Sequence, residues 1–197
     1  MNLGWVTVVI AMTHTTWDTG KGNAVTRCQP LFLSVTRTEC FEVYFFTFDT
    51  LKRLPTIYSS GPGEPVGGPL IRARCGGLDR CEYIAQAYVA VWPAIILLLC
   101  WAHIARKFKE KMELKHTTSS DVIEKHIHVL HGTAARFQFD YLAAILFVYW
   151  STVLDEERFA KNFRAMYLVG IWAQWFVTAS GIGGVCASSN PIESWNK

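Results

Sequence analysis

A gap in the polar pattern of this chain runs from Tyr83 to Ala105, 23 residues without one formal charge. At about 1.5 Å per residue, a helix of that length crosses a hydrocarbon core of roughly 30 Å. A core helix of a globular domain normally keeps a polar face. Here the only strongly polar side chains are Gln86 and His103, and Arg106, Lys107, Lys109, Lys111 and Lys115 follow at once as a stop-transfer pattern. Two further apolar segments come later. One, Tyr141 to Leu154, reaches spanning length by borrowing Phe137, Phe139 and the interfacial Asp140; the other, Ala165 to Ile192, is uncharged. Between them Asp155–Arg164 reads as a tight charged turn of net zero charge.

This pattern predicts an all-α membrane protein with about three transmembrane helices, a single span plus a helical hairpin. The predicted boundaries are spans at 83–105, 138–154 and 165–188, a polar membrane-proximal helix at 106–137, a turn at 155–164 and a tail at 189–197. Within the polar stretch, Asp121 with Glu124 three residues on reads as a capping box after Thr117-Thr-Ser-Ser120. Pro93 is expected to kink the first span, and Gln86 and Gln174 to seek hydrogen bonds on neighbouring helices. Ala179/Gly183 and Ser180/Gly184 set small residues four apart, a spacing that lets helices approach closely in lipid.

Residues 1–82 are expected to form a long, largely irregular arm. The uncharged Leu3–Met12 is too short to span and lacks the basic start and cleavage site of a secretory signal; a strand or an interfacial segment is expected there. Phe41-Glu-Val-Tyr-Phe-Phe-Thr-Phe48 reads as a short strand or an aromatic patch. The cluster Gly61-Pro-Gly-Glu-Pro-Val-Gly-Gly-Pro69 continues neither a helix nor a central strand.

Composition sharpens the picture. Half the residues are hydrophobic and only 18% are charged, with eight Trp, seven Tyr and twelve Phe. Aromatic side chains gather at membrane interfaces and subunit contacts. The net charge of +3 is small and scattered, which argues against nucleic acid. Seven Lys/Arg fall in 106–137, against three in 66–82 and three in 155–164, so 106–137 is expected on the cytosol-like or matrix-like side and the arm on the intermembrane or lumenal side. That side tolerates disulfides, and Cys28, Cys40, Cys75 and Cys81 are the candidates, paired as Cys75–Cys81 or Cys28–Cys40.

The sharpest candidate for chemistry is Asp121, Glu124, His128 and His131, whose offsets of three, four and three place them on one helical face. Glu124, His128 and His131 are of the right types for Zn²⁺, with a fourth ligand from His116 or a partner, whereas a solvated helix face is the plainer reading. His126 points elsewhere. The stretch His128-Val-Leu-His131-Gly132 … Asp140-Tyr141 resembles, over some fourteen residues, the membrane anchors of succinate dehydrogenase. There a His, a Gly four residues on and a later Asp-Tyr serve haem b and quinone. The resemblance implies haem on His128, with His131 the other candidate ligand, and quinone against Tyr141. The Gly-to-Asp spacing here is one residue longer, and the stretch before the histidines is polar.

Ionisable residues inside the apolar segments, the usual mark of transport, are confined to His103 and Asp140 at their ends. Nucleophile elbows, zinc-protease and phosphate-loop motifs are also missing. The chain is therefore expected to be a non-catalytic accessory or scaffold subunit of a large membrane complex, of the respiratory chain or ATP synthase in the mitochondrial inner membrane. Its expected partners are other membrane subunits and the lipid bilayer, and no cofactor is expected. A haem- or quinone-binding anchor is the alternative, and a zinc enzyme on Glu124, His128 and His131 comes after it.

Overall fold

The computed structural model describes residues 6–20, 22–59, 71–111, 113–182, 185 and 187. In chain order these form strands β1 (Val6–Asp18) and β2 (Asn23–Thr36), helix α1 (Phe41–Ser59), strand β3 (Cys75–Leu78), helix α2 (Glu82–Val91), strand β4 (Ile96–Leu99), and helices α3 (Trp101–Lys111), α4 (Ser120–His131), α5 (Arg136–Thr152) and α6 (Glu157–Tyr167). Short 3₁₀ turns occupy Thr117–Ser119 and Gly170–Ala173. The chain divides into two units, with divisions inside both β3 and β4.

Among the described residues no helix is long and apolar enough to cross a membrane. This overturns the expected three-span membrane fold, the integral-membrane location, and the side assigned to the arm, all of which rested on spans. Each apolar segment fails as a span for its own reason. The 83–105 run breaks at Trp92-Pro93, because proline lacks an amide N–H and clashes with the carbonyl four residues back. Trp92 accordingly leaves the helical region at φ −129° and ψ 86°. Ile96–Leu99 then runs extended, and Cys100 N donates to the Leu78 carbonyl at 2.8 Å. The segment at 138–154 does form one helix, but the 17 residues of α5 extend only about 25 Å and carry a charged Arg136–Asp140 pair. The segment at 165–192 breaks after Tyr167. Gly170 adopts φ +60°, and Trp175 and Phe176 turn into the core.

In the first unit β1 and β2 form an antiparallel hairpin paired up to Asp18 and Asn23, with Gly22 at φ +62° beside the turn. Register shifts between Ile10 and Ala11, which pair with Phe32 and Pro30, so Leu31 is the extra residue of a bulge. The bulge falls beside Pro30, which has no N–H to give to the ladder. Helix α1 occupies the stretch expected to be a strand or interfacial patch. Its Tyr44, Phe48 and Leu51 recur at helical spacing and pack with Ala87, Val91 and Trp92 of the α2 segment. Phe48 stacks on Tyr88 at 4.1 Å between ring centres. Polar tips are satisfied at the margin: Trp92 Nε1 donates to the Ile71 carbonyl and Lys52 Nζ to the Val91 carbonyl, both at 2.8 Å.

The second unit is helical. Ile104 and Phe108 of α3, Ile123, Ile127 and Leu130 of α4, Phe139 and Trp150 of α5, and Phe159 and Phe163 of α6 are all buried. The stretch expected to be a charged turn is in fact amphipathic α6: Phe159, Ala160, Phe163 and Tyr167 form its buried stripe and the charges its outer face. One buried carboxylate ties two loops together. Glu156, 2% exposed, accepts the backbone N–H groups of Lys115 at 2.8 Å and His116 at 2.7 Å. Beside it Asp155 holds the Lys115 ammonium in an ion pair, which keeps its carboxyl below the usual carboxylate range.

Candidate functional site

The histidine face of α4 stands in the second unit. The helix begins after Ser119 rather than at the expected Asp121 capping box, and Asp121 lies in its first turn, where an acid suits the helix dipole. His128 and His131 share one side, as the spacing predicts. Trp101, at the start of α3, lies flat on the His131 ring at 4.2 Å and 4° and meets His128 edge-on at 4.9 Å. Trp175 continues the stack, 5.8 Å from Trp101 and tilted by 9°. The ring of Trp175 is held by its own Nε1, which donates to the Tyr167 carbonyl at 2.6 Å.

His131 Nδ1 lies 2.6 Å from the Trp175 carbonyl oxygen. A carbonyl only accepts, so Nδ1 carries the proton and Nε2 of the neutral ring presents a lone pair. Burial lowers the His131 pKa; the hydrogen bond to Trp175 acts against this, and the neighbouring His128 adds to it. The neutral ring is therefore favoured. Glu124 stands one turn away from His128, with Oε1 3.8 Å from His128 Nε2 and 2.9 Å from Lys109 Nζ. His126 lies on another face, where its Nδ1 accepts from Trp150 Nε1 at 3.1 Å. Its pKa is also lowered by burial.

Of the residues singled out from the sequence, Glu124, His128 and His131 thus share one surface, but Glu124 engages Lys109 as well as His128. Among the described residues no group of three or more His, Cys, Asp or Glu side chains converges on a metal position. Tyr141 stands apart on α5, 69% exposed, with no ring contact or hydrogen bond to either histidine among the described residues. Cys40, Cys75 and Cys81 are free thiols, and the Cys28 side chain lies outside the described residues. Gly183 and Gly184 of the small-residue pairs also lie outside them. Gln86 is exposed and donates to Glu82 within its own helix at 3.4 Å. Trp101, Trp175 and Lys109 complete the histidine cluster. No spacing rule links positions 101 and 175 to 131, so the sequence carried no signal for them.

A second feature is the outer face of α5. Its inner side buries Phe139, Ala143 and Trp150, while Phe137 (72% exposed), Tyr141, Ile145 and Val148 stand in solvent at offsets of four, four and three. Arg136 Nε grips both oxygens of Asp140 at 2.8–2.9 Å, which neutralises the only two charges of the helix. Alongside runs an open groove of about 370 Å³, lined by Asp140, Ala143, Ala144, Phe147, Val148, Arg164, Leu168 and Val169. The Arg164 guanidinium lies over the Phe147 ring at 5.0 Å.

No family model matches the chain, and no curated protein matches it. The comparisons therefore lend no support to the expected respiratory-chain and mitochondrial assignment, which is withdrawn together with the spans it was built on.

Proposed function

We propose that this chain is a non-catalytic assembly subunit that docks protein through the outer face of α5. One observation carries the reading: a helix whose inner side is packed in a core also presents two aromatic rings, an Ile and a Val to solvent in a continuous stripe. Such stripes at helical spacing are the anchors of helix-mediated contacts, and aromatic side chains dominate binding energies because their area is large and their rotamers few. The paired Arg136 and Asp140 leave the stripe without net charge, as suits the centre of a contact. Native electrophoresis of the full chain in extract tests this. A species well above the 22.3 kDa of one chain, reduced to the lone chain by Tyr141→Glu or Val148→Glu, is expected. Wild type migrating alone overturns the reading.

One observation favours a second reading, a haem- or quinone-binding protein. His131 keeps its proton on Nδ1 and presents the Nε2 lone pair of a neutral ring beside the flat faces of Trp101 and Trp175. A backbone carbonyl on Nδ1 is the usual support of a ligating histidine. A visible absorption band lost in His131→Ala would establish it over the assembly reading.

A further inference from the structure

We infer that the occupant of the α5 face is a second copy of this chain, paired antiparallel through a two-fold axis near Ala144. The inference rests on the assembly reading above and names its partner. A two-fold interface needs one surface that carries both a projection and a matching recess, since each copy contributes both. Helix α5 has this layout. Its N-terminal half projects Phe137 and Tyr141, about 70% exposed, and the groove runs beside the helix from Asp140 to Val148, with Phe147 and Val148 at its C-terminal end. When Tyr141 of one copy enters the groove of the other near Phe147, the midpoint falls at residue 144. The residue there is a small, exposed alanine, which permits close approach of two helices.

Charge and area agree with that pairing. The Arg136–Asp140 pair is internally neutral, so the stripe itself brings no like charges together when two copies meet. Arg164, already seated on one aromatic ring, lies in the groove where it would meet the incoming Tyr141 ring, a favourable cation–π arrangement. Aromatic side chains bury about 150–250 Å² each, so Phe137, Tyr141, Ile145, Val148 and Val169 together offer on the order of 500 Å² per copy. Two copies reach about 1,000 Å², the lower bound for a specific interface.

The test uses the purified full chain. Sedimentation equilibrium is expected to give a dimer that dissociates at least tenfold more readily in Tyr141→Glu and Val148→Glu, with Val129→Glu, on the exposed face of α4, unchanged. Both stripe substitutions are at exposed positions, and retained helical circular dichroism will show that the variants fold. A second variant reads the axis directly. Ala144→Cys is expected to form an intermolecular disulfide on mild oxidation, above any wild-type background, whereas Gln138→Cys forms none. A monomer in the purified state, with a larger species still present in extract, overturns the second-copy inference and leaves the assembly reading standing. A monomer in both overturns the two together. A dimer indifferent to the stripe substitutions, or one that cross-links at 138 and not at 144, overturns the pairing.

Discussion

Among single residues, the buried Glu156 offers a direct test of what one side chain contributes. Its carboxylate is the acceptor for two backbone N–H groups, 41 and 40 residues earlier in the chain. Removing it leaves both donors without that partner, at about 1–3 kcal/mol for each group that stays dry. Glu156→Ala is expected to cost about 2–4 kcal/mol, while Glu157→Ala, which removes an exposed i,i+4 pair with Lys161 and an acid from the first turn of α6, costs under about 1 kcal/mol. Urea unfolding of the two variants checks the contrast, and equal losses would contradict it. His126 and His131 set a pH dependence. Burial holds both below the ordinary histidine value, so on acidification the unfolded chain takes up protons first. Their contribution is complete above the unfolded value of about 6.5 and is lost as pH falls through the folded values. The melting temperature should therefore drop between about pH 7.5 and pH 5.5, and the slope should flatten in the His126→Gln/His131→Asn double variant. A wild-type melting temperature unchanged across that window would contradict the burial of these rings.

At the level of elements, α6 shows what a linear reading sees and what it misses. Phe159, Phe163 and Tyr167 stand at offsets of four in the sequence, and Phe163 is fully buried. Phe163→Ala is expected to cost about 3–5 kcal/mol, and Arg158→Ala, whose pair with Glu113 is about 80% exposed at both ends, almost nothing. Thermal unfolding of both variants decides; a tolerated Phe163→Ala would remove α6 from the core. That helical period was legible, but the charges between the aromatics made the segment look like a turn. The 83–105 run misled for the opposite reason. Lack of charge records burial, not the medium that supplies it, and Pro93 was the legible sign that no single helix could use the whole length. The shared face of Glu124, His128 and His131 was readable from spacing alone. The Trp101–His131–Trp175 stack was not, because it joins α3, α4 and the stretch after α6 through tertiary packing. In the first unit, the close approach of Gly76 to Tyr88 is equally silent in sequence. A Cβ there would stand 2.8 Å from the ring, so Gly76→Ala is expected to cost about 1–3 kcal/mol by displacing it, which a melting curve would show.

For the molecule as a whole, assembly turns on α5, a helix apolar on both sides whose inner face is buried and whose outer face is open. Apolar stripes of this extent on a protein surface mark contact sites, and this one sits on a rigid helix anchored by Trp150 and Phe139, both 0% exposed. The histidine cluster lies on a different helix, so substitutions at Tyr141 and Val148 test assembly without touching His131. Hydroxyl-radical footprinting reads the stripe with no substitution at all, because Phe and Tyr rings are reactive where water reaches them. Across a dilution series of the purified full chain, the rings of Phe137 and Tyr141 are predicted to be protected at high concentration and to become reactive on dilution, while Tyr83, 49% exposed on α2, reacts equally throughout. Phe137 and Tyr141 oxidising at one constant rate across the series would contradict the account.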